Sequence, residues 1–157
     1  MFLVVLAVLL APLVHSVPMV DVPVPETRPP EANRTYTSTA IDRLIRELKP
    51  LFLDADVAQL FENCLPNTLD TTVLYHSSSS DGKGEDSFII TGDIRALWLR
   101  DSTNQVLPFL PYASEDAALD RLMQGLIARQ ARSVALDPYA NAFNYNVTAN
   151  TDDGSCV

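Results

Sequence analysis

Prolines divide this chain before any other feature does, because the proline ring blocks a helix interior and offers no N–H to a strand. Eleven are present. Five of them, Pro18, Pro23, Pro25, Pro29 and Pro30, fall between Val17 and Arg34 among acidic and small residues, a composition that stays extended and reads as a linker over 17–38. Downstream, Pro50, Pro66, Pro108, Pro111 and Pro138 leave bounded windows in which a helix can run.

Three windows carry helical periodicity. Ser38 or Thr39 caps the first, in which Ile41, Leu44, Ile45 and Leu48 share one side and Asp42, Arg43, Arg46 and Glu47 take the other, until Pro50 ends it. Asp54 caps the second, with Val57, Leu60, Phe61, Cys64 and Leu65 on one face up to Pro66, and the two helices are expected to pack as a pair. Ser114 opens the third, with Glu115 and Asp116 in the first turn and Arg129 and Arg132 in the last, complementing the helix dipole. Its apolar stripe is Ala118, Leu119, Leu122, Met123, Leu126 and Ile127. Gly125 weakens that helix unless another backbone packs closely there.

Between Pro66 and Pro108 the pattern changes. Thr-rich Asn67–His76 reads as an extended piece or loop, and Ser77–Gly84 as a solvated tip, so Val73 to Thr91 predicts a β-hairpin. Its second arm leads into Phe88–Gln105, the densest stretch of chemistry in the chain, which holds the single Trp98 with Asp93, Arg95, Arg100 and Asp101. Thr91-Gly92-Asp93 favours a turn. Ser102 and Gln105 have the spacing of a capping box, which places Arg100 and Asp101 in a loop just before a helix. An indole covers the apolar face of a sugar ring, while a carboxylate and a guanidinium accept from and donate to vicinal hydroxyls. The same residues also fit a core tryptophan beside a surface ion pair, and spacing alone leaves both readings open.

The N-terminus constrains the compartment. Phe2 to Val14 is apolar and uncharged, too short to span a bilayer as a helix of ~20 residues, and Val14-His15-Ser16 suits cleavage after Ser16. A signal peptide over 1–16 and secretion are expected, with no stable membrane association after cleavage. Asn33-Arg34-Thr35 and Asn146-Val147-Thr148 are glycosylation sequons of the kind that route would use. Cys64 and Cys156 can in principle pair there, although the place of Cys64 on an apolar helix face reads as a buried thiol. Two cysteines and two histidines, His15 and His76, make no zinc set, and no cofactor is implied. A net charge of −9 argues against nucleic acid and anionic membranes as partners.

Three blocks together carry a resemblance. Gly92-Asp93-Ile94 followed by Trp98-Leu99-Arg100-Asp101-Ser102 and Gln105-Val106 is similar to the signature of glycoside hydrolase family 125, the metal-independent exo-α-1,6-mannosidases. Phe61-Glu62-Asn63-Cys64 running into Pro66–Val73, and Asp137–Asn144, resemble two further blocks of that family in the same order. The chain departs from it at Arg95 and Leu97, where the family pattern has Pro and Met.

The resemblance implies a mainly α fold, part of an (α/α)6 barrel, with a short β-hairpin carrying the central motif. A whole barrel needs about twelve helices, so 39–157 is expected to be the N-terminal part of a catalytic domain. It further implies an inverting mechanism whose acid and base lie downstream of Asp137–Asn144, so no catalytic residue is assigned here. The expected mannose-binding residues are Asp93, Trp98, Arg100 and Asp101, with Asn141 and Asn144 beside them, and the expected partners are α-mannoside glycans. The alternative is a non-catalytic mannoside-binding remnant or an unstable truncated product.

Overall fold

The computed structural model describes residues 22–77, 84–140 and 142–144. The expected leader, Asn141, the Asn146 sequon, Cys156 and most of the Ser-rich tip lie outside the described residues. The chain is mainly helical. Its elements, in order, are α1 (Thr39–Leu48), α2 (Ala55–Cys64), α3 (Asn67–Thr72), β1 (Val73–Ser77), β2 (Asp86–Ile89), β3 (Ala96–Trp98), α4 (Leu99–Val106), α5 (Ala117–Leu136) and β4 (Ala142–Asn144).

β1 and β2 form the expected antiparallel hairpin, with Val73 opposite Ile89 and Ser77 opposite Asp86. Ile90 leaves it by donating its N–H to Thr72 O at 3.0 Å, so the polar part of the central motif lies beyond the second arm. β3 and β4 form a second antiparallel pair. The core gathers Ile41 and Ile45 from α1, Leu69 from α3, Phe88 and Ile89 from β2, Leu97 from β3 and Leu119, Leu122 and Leu126 from α5.

Gly125 is where α5 meets the hairpin. A Cβ built there would lie 2.4 Å from Ser87 Oγ and 2.9 Å from the backbone of Asp86 and Ser87, so a glycine is required for the helix to touch the strand. One turn on, Arg129 fastens the same contact by donating from Nε and Nη2 to the two carboxylate oxygens of Asp86 at 2.9 and 2.5 Å. Arg132 adds a third bond to Asp86 at 2.6 Å.

The proline-rich segment runs extended, yet it is docked on the body. Val24 N–H donates to Asp56 Oδ1 at 2.8 Å, and Asn63 Nδ2 donates to Pro25 O at 2.9 Å. Arg28 enters between helices, donating to Asp70 at 2.7 Å and to Asp42 at 2.7 Å. Asp70 is only 2% exposed, and this ion pair is what makes its burial tolerable.

Several sequence expectations are corrected. Asn67–Thr72 is helical, since Thr71 and Thr72 return their hydroxyls to the carbonyls of Asn67 and Thr68 four residues back. The third helix is capped by Asp116, whose carboxylate accepts from Ala118 and Leu119 N–H; Glu115 and Asp116 therefore precede its first turn. That helix continues to Leu136, so Arg129 and Arg132 fall short of its last turn, which holds no basic residue, and both bind Asp86 instead. Cys64 is exposed. The α2 face that carries it is only partly covered, with Ala58 its single buried residue and Val57 and Leu60 at 46% and 47% exposure.

A second apolar face is also open. Leu107, Leu110 and Ile127 are 55%, 56% and 67% exposed around a groove of ≈140 Å³ floored by Val106, Met123 and Leu126.

Candidate functional site

α4 begins at Leu99, immediately after β3, with Trp98 as its N-cap residue. This corrects the capping-box reading. Ser102 lies inside the helix and donates its hydroxyl back to Trp98 O at 2.7 Å, the alternative use that serine makes of a helical backbone. Arg100 and Asp101 consequently occupy the first turn rather than a loop, and a negative charge there complements the helix N-terminus.

That turn is held from behind. Gln130 of α5 directs its amide nitrogen at Leu99 O, Ser102 Oγ and Thr103 Oγ1, at 3.1, 2.8 and 2.9 Å. On the other side Gln105 Nε2 donates to Ile90 O at 3.3 Å, tying α4 to the exit of the hairpin. The first turn of α4 is thus positioned by side-chain amides from both flanks.

Asp101 is half-buried and makes no hydrogen bond or ion pair with the described residues. It lines a cavity of ≈340 Å³ together with Thr91, Asn104 and Gln105. Asn104 and Gln105 are three and four residues after Asp101, on the same helix face. Gln105 Oε1 is buried with no hydrogen-bond partner among the described residues. A carboxylate, two amides and a hydroxyl offer both donors and acceptors, as a polyol requires.

Trp98 is half-buried and pairs with Ala142 across β3 and β4, while Ala96 pairs with Asn144. Two sequence blocks more than forty residues apart are thereby adjacent. Arg100 is exposed. Asp93 is exposed in the bend after Gly92, whose φ of +140° suits glycine, and accepts from its neighbour Ile94 N–H at 3.0 Å. Asp93 is not among the residues that line the Asp101 cavity. Asn144 is placed by its backbone alone.

The larger open hollow, ≈720 Å³, lies elsewhere, against Glu31, Arg34, Tyr36 and Ala118. Next to it the rings of Tyr36 and His76 meet edge-on at 5.6 Å. Burial pushes the Tyr36 hydroxyl up to about 12, helped by the charge of Asp116 and opposed by Arg121. His76 is pushed down by burial, with Glu85 and Asp86 opposing and Arg121 assisting. Both rings are therefore neutral near pH 7, and His76 spends its Nδ1 on Ser87 Oγ at 2.9 Å. We assign this cluster to packing of the hairpin. No group of three or more potential metal ligands occurs among the described residues.

The chain is 45% identical over 119 residues to the Meiotically up-regulated gene 157 protein of Schizosaccharomyces pombe, a match covering 76% of this chain and 23% of that protein. It also resembles, at 37% identity and a TM-score of 0.58, a solved metal-independent alpha mannosidase of Streptococcus pneumoniae in a non-productive substrate complex with alpha-1,6-mannobiose. That likeness covers 71% of this chain and 25% of the solved one, so the chain spans about a quarter of the length of these relatives. The family model described as metal-independent alpha-mannosidase (GH125) matches residues 54–156, which takes in α2 through β4 and all three motif blocks. The chain therefore belongs to glycoside hydrolase family 125.

Proposed function

We propose that this chain carries part of the mannose-binding subsite of an inverting exo-α-1,6-mannosidase that removes terminal mannose from glycans. The observation that carries the reading is the pairing of β3 with β4, which puts Trp98 and the first turn of α4 beside the Ala142–Asn144 block. Trp98 would cover the apolar sugar face, and Asp101 would accept from ring hydroxyls. Arg100, Asp93, Asn141 and Asn144 complete the proposed set. The mannobiose-bound relative supports a mannoside as the ligand class.

In an inverting mechanism an acid protonates the leaving oxygen while a base activates water on the opposite face, with the two carboxyls ~6.5–9.5 Å apart. We place that pair beyond the Asp137–Asn144 block, so the chain by itself binds mannoside without cleaving it. The open Leu107, Leu110 and Ile127 face suits the packing of further hairpins of an (α/α)6 barrel. The apolar N-terminus supports entry into the secretory route through a signal peptide over 1–16.

The test is to titrate the purified chain with α-1,6-mannobiose, following the Trp98 indole signal by NMR, and to assay free mannose in the same samples. Binding without release is expected. Mannose release would overturn the placement of the acid and base. A titration that leaves the indole unmoved at millimolar sugar would overturn the subsite itself.

A further inference from the structure

We propose that Asn33 is an N-glycosylation site which accepts its glycan only before the N-terminal arm docks, and is closed to the transferase afterwards. The inference rests on the secretory reading above. Asn33 ends a 3-10 turn, Glu31–Asn33, and is exposed; its side-chain amide makes no hydrogen bond with the described residues. A glycan on Nδ2 would project into solvent and displace nothing in the folded chain.

Thr35 is exposed as well, but unlike Asn33 it is hydrogen-bonded to the body of the fold. Thr35 Oγ1 donates to Leu69 O at 2.9 Å, and Thr35 N–H donates to Asp70 O at 2.8 Å. Between them, Arg34 Nε donates to Pro29 O at 3.0 Å, and its guanidinium lies 3.6 Å from Asp70 and 3.7 Å from Asp42. The hydroxyl that defines the sequon is thus committed to α3, and its backbone is fixed on both sides. Only the acceptor amide stays free.

Chain order supplies the interval. Leu69 follows Thr35 by 34 residues, so in synthesis from the N-terminus the sequon is complete before the carbonyl that locks it exists. At roughly 5–20 residues per second the gap is a few seconds. In that interval Asn33 Nδ2 attacks C1 of the first sugar of a polyisoprenyl-diphosphate-linked oligosaccharide. The new N–C1 bond replaces the C1–O bond to the diphosphate, the lipid diphosphate leaves, and the amide proton passes to a base of the transferase.

Two measurements test this. The chain is expressed in a eukaryotic secretory host, once with its own N-terminus and once behind a heterologous signal peptide, and glycan release in ¹⁸O water marks each formerly glycosylated asparagine by mass. Chain made without glycan and already folded is then offered to purified transferase and lipid-linked donor, beside a peptide spanning 29–41. We expect conversion at Asn33, abolished by Asn33→Gln and kept by Thr35→Ser, and modification of the folded chain at least about tenfold slower than the peptide. Conversion only behind the heterologous signal would uphold the site while refuting the secretory reading. Absence of conversion at Asn33 behind that signal, or equal rates for folded chain and peptide, would overturn the proposal.

Discussion

Ser38 Oγ donates to Asp116 Oδ2 at 2.7 Å, across 78 residues of sequence. Ser38 is the N-cap of α1 and Asp116 the N-cap of α5, so one carboxylate serves both helix starts. Its other oxygen takes Ala118 and Leu119 N–H, and Oδ2 also receives Ala40 N–H at 3.4 Å.

Asp116→Ala should therefore cost about 2–4 kcal/mol, the loss of a cap together with a buried hydroxyl left unpaired. Burial pushes the Asp116 carboxyl up, but the bonds from Ser38, Leu119, Ala40 and Ala118 outweigh it and hold it below the ordinary range. A depressed carboxyl stabilises above its unfolded value, about pH 4, and that contribution is lost as pH falls through the lower native value. Denaturant midpoints of the wild type and of Asp116→Asn, measured from pH 7 to pH 2, should converge at the acid end.

His76 gives a slope at higher pH. Its native value lies below the ordinary one because burial disfavours the cation, so stability is full above about pH 6.5 and falls as the unfolded chain takes up the proton first. His76→Gln, which retains a partner for Ser87, should flatten the fall in stability as pH drops below about 6.5. An unchanged slope would assign the effect to other groups.

Gly125→Ala adds a methyl that meets the backbone of Asp86 and Ser87 at 2.9 Å. Helix propensity favours alanine by ~1 kcal/mol, but overpacking costs about 1–3, and the clash should win. Thermal unfolding of Gly125→Ala is expected below wild type. Adding Ser87→Ala should not restore it, because the backbone contacts persist.

At the cavity, Asp101→Asn should lower affinity for α-1,6-mannobiose about tenfold or more, since hydrogen bonds to a charged acceptor contribute about 1.5–3 kcal/mol. The Asp101 side chain has no hydrogen-bond or ion-pair partner among the described residues, so stability should fall only by the loss of its charge at the α4 N-terminus, about 0.3–1 kcal/mol. Calorimetric titration paired with a melting curve separates the two effects.

The parts of this fold that were legible beforehand rest on period and on turn chemistry. The Ile41 and Ile45 stripe, the α5 stripe and the hairpin on either side of the Ser-rich tip follow from residue spacing, whereas Gly125 signalled only a weak point in α5 whose reason, the β2 backbone, the structure supplies. The start of α4 did not, because serine inside a helix and serine at its cap have the same identity and differ only in which backbone group they bond. That error hid Asn104, which shares a face with Asp101 only once the helix is known to begin at Leu99. Cys64, Val57 and Leu60 misled for a different reason. Amphipathic spacing says which side of α2 is apolar, not whether a neighbour covers it.

Within five residues, about 7.5 Å of helix rise, α5 touches β2 through Gly125 and Arg129 and grips the first turn of α4 through Gln130. Because the Gly125 contact has no side chain to yield, that short span stiffens the junction of β2 and α4, which Gln105 and Ile90 join on the other side. The first turn of α4 is thereby held against β2, a strand that contributes no residue to the cavity Asp101 lines.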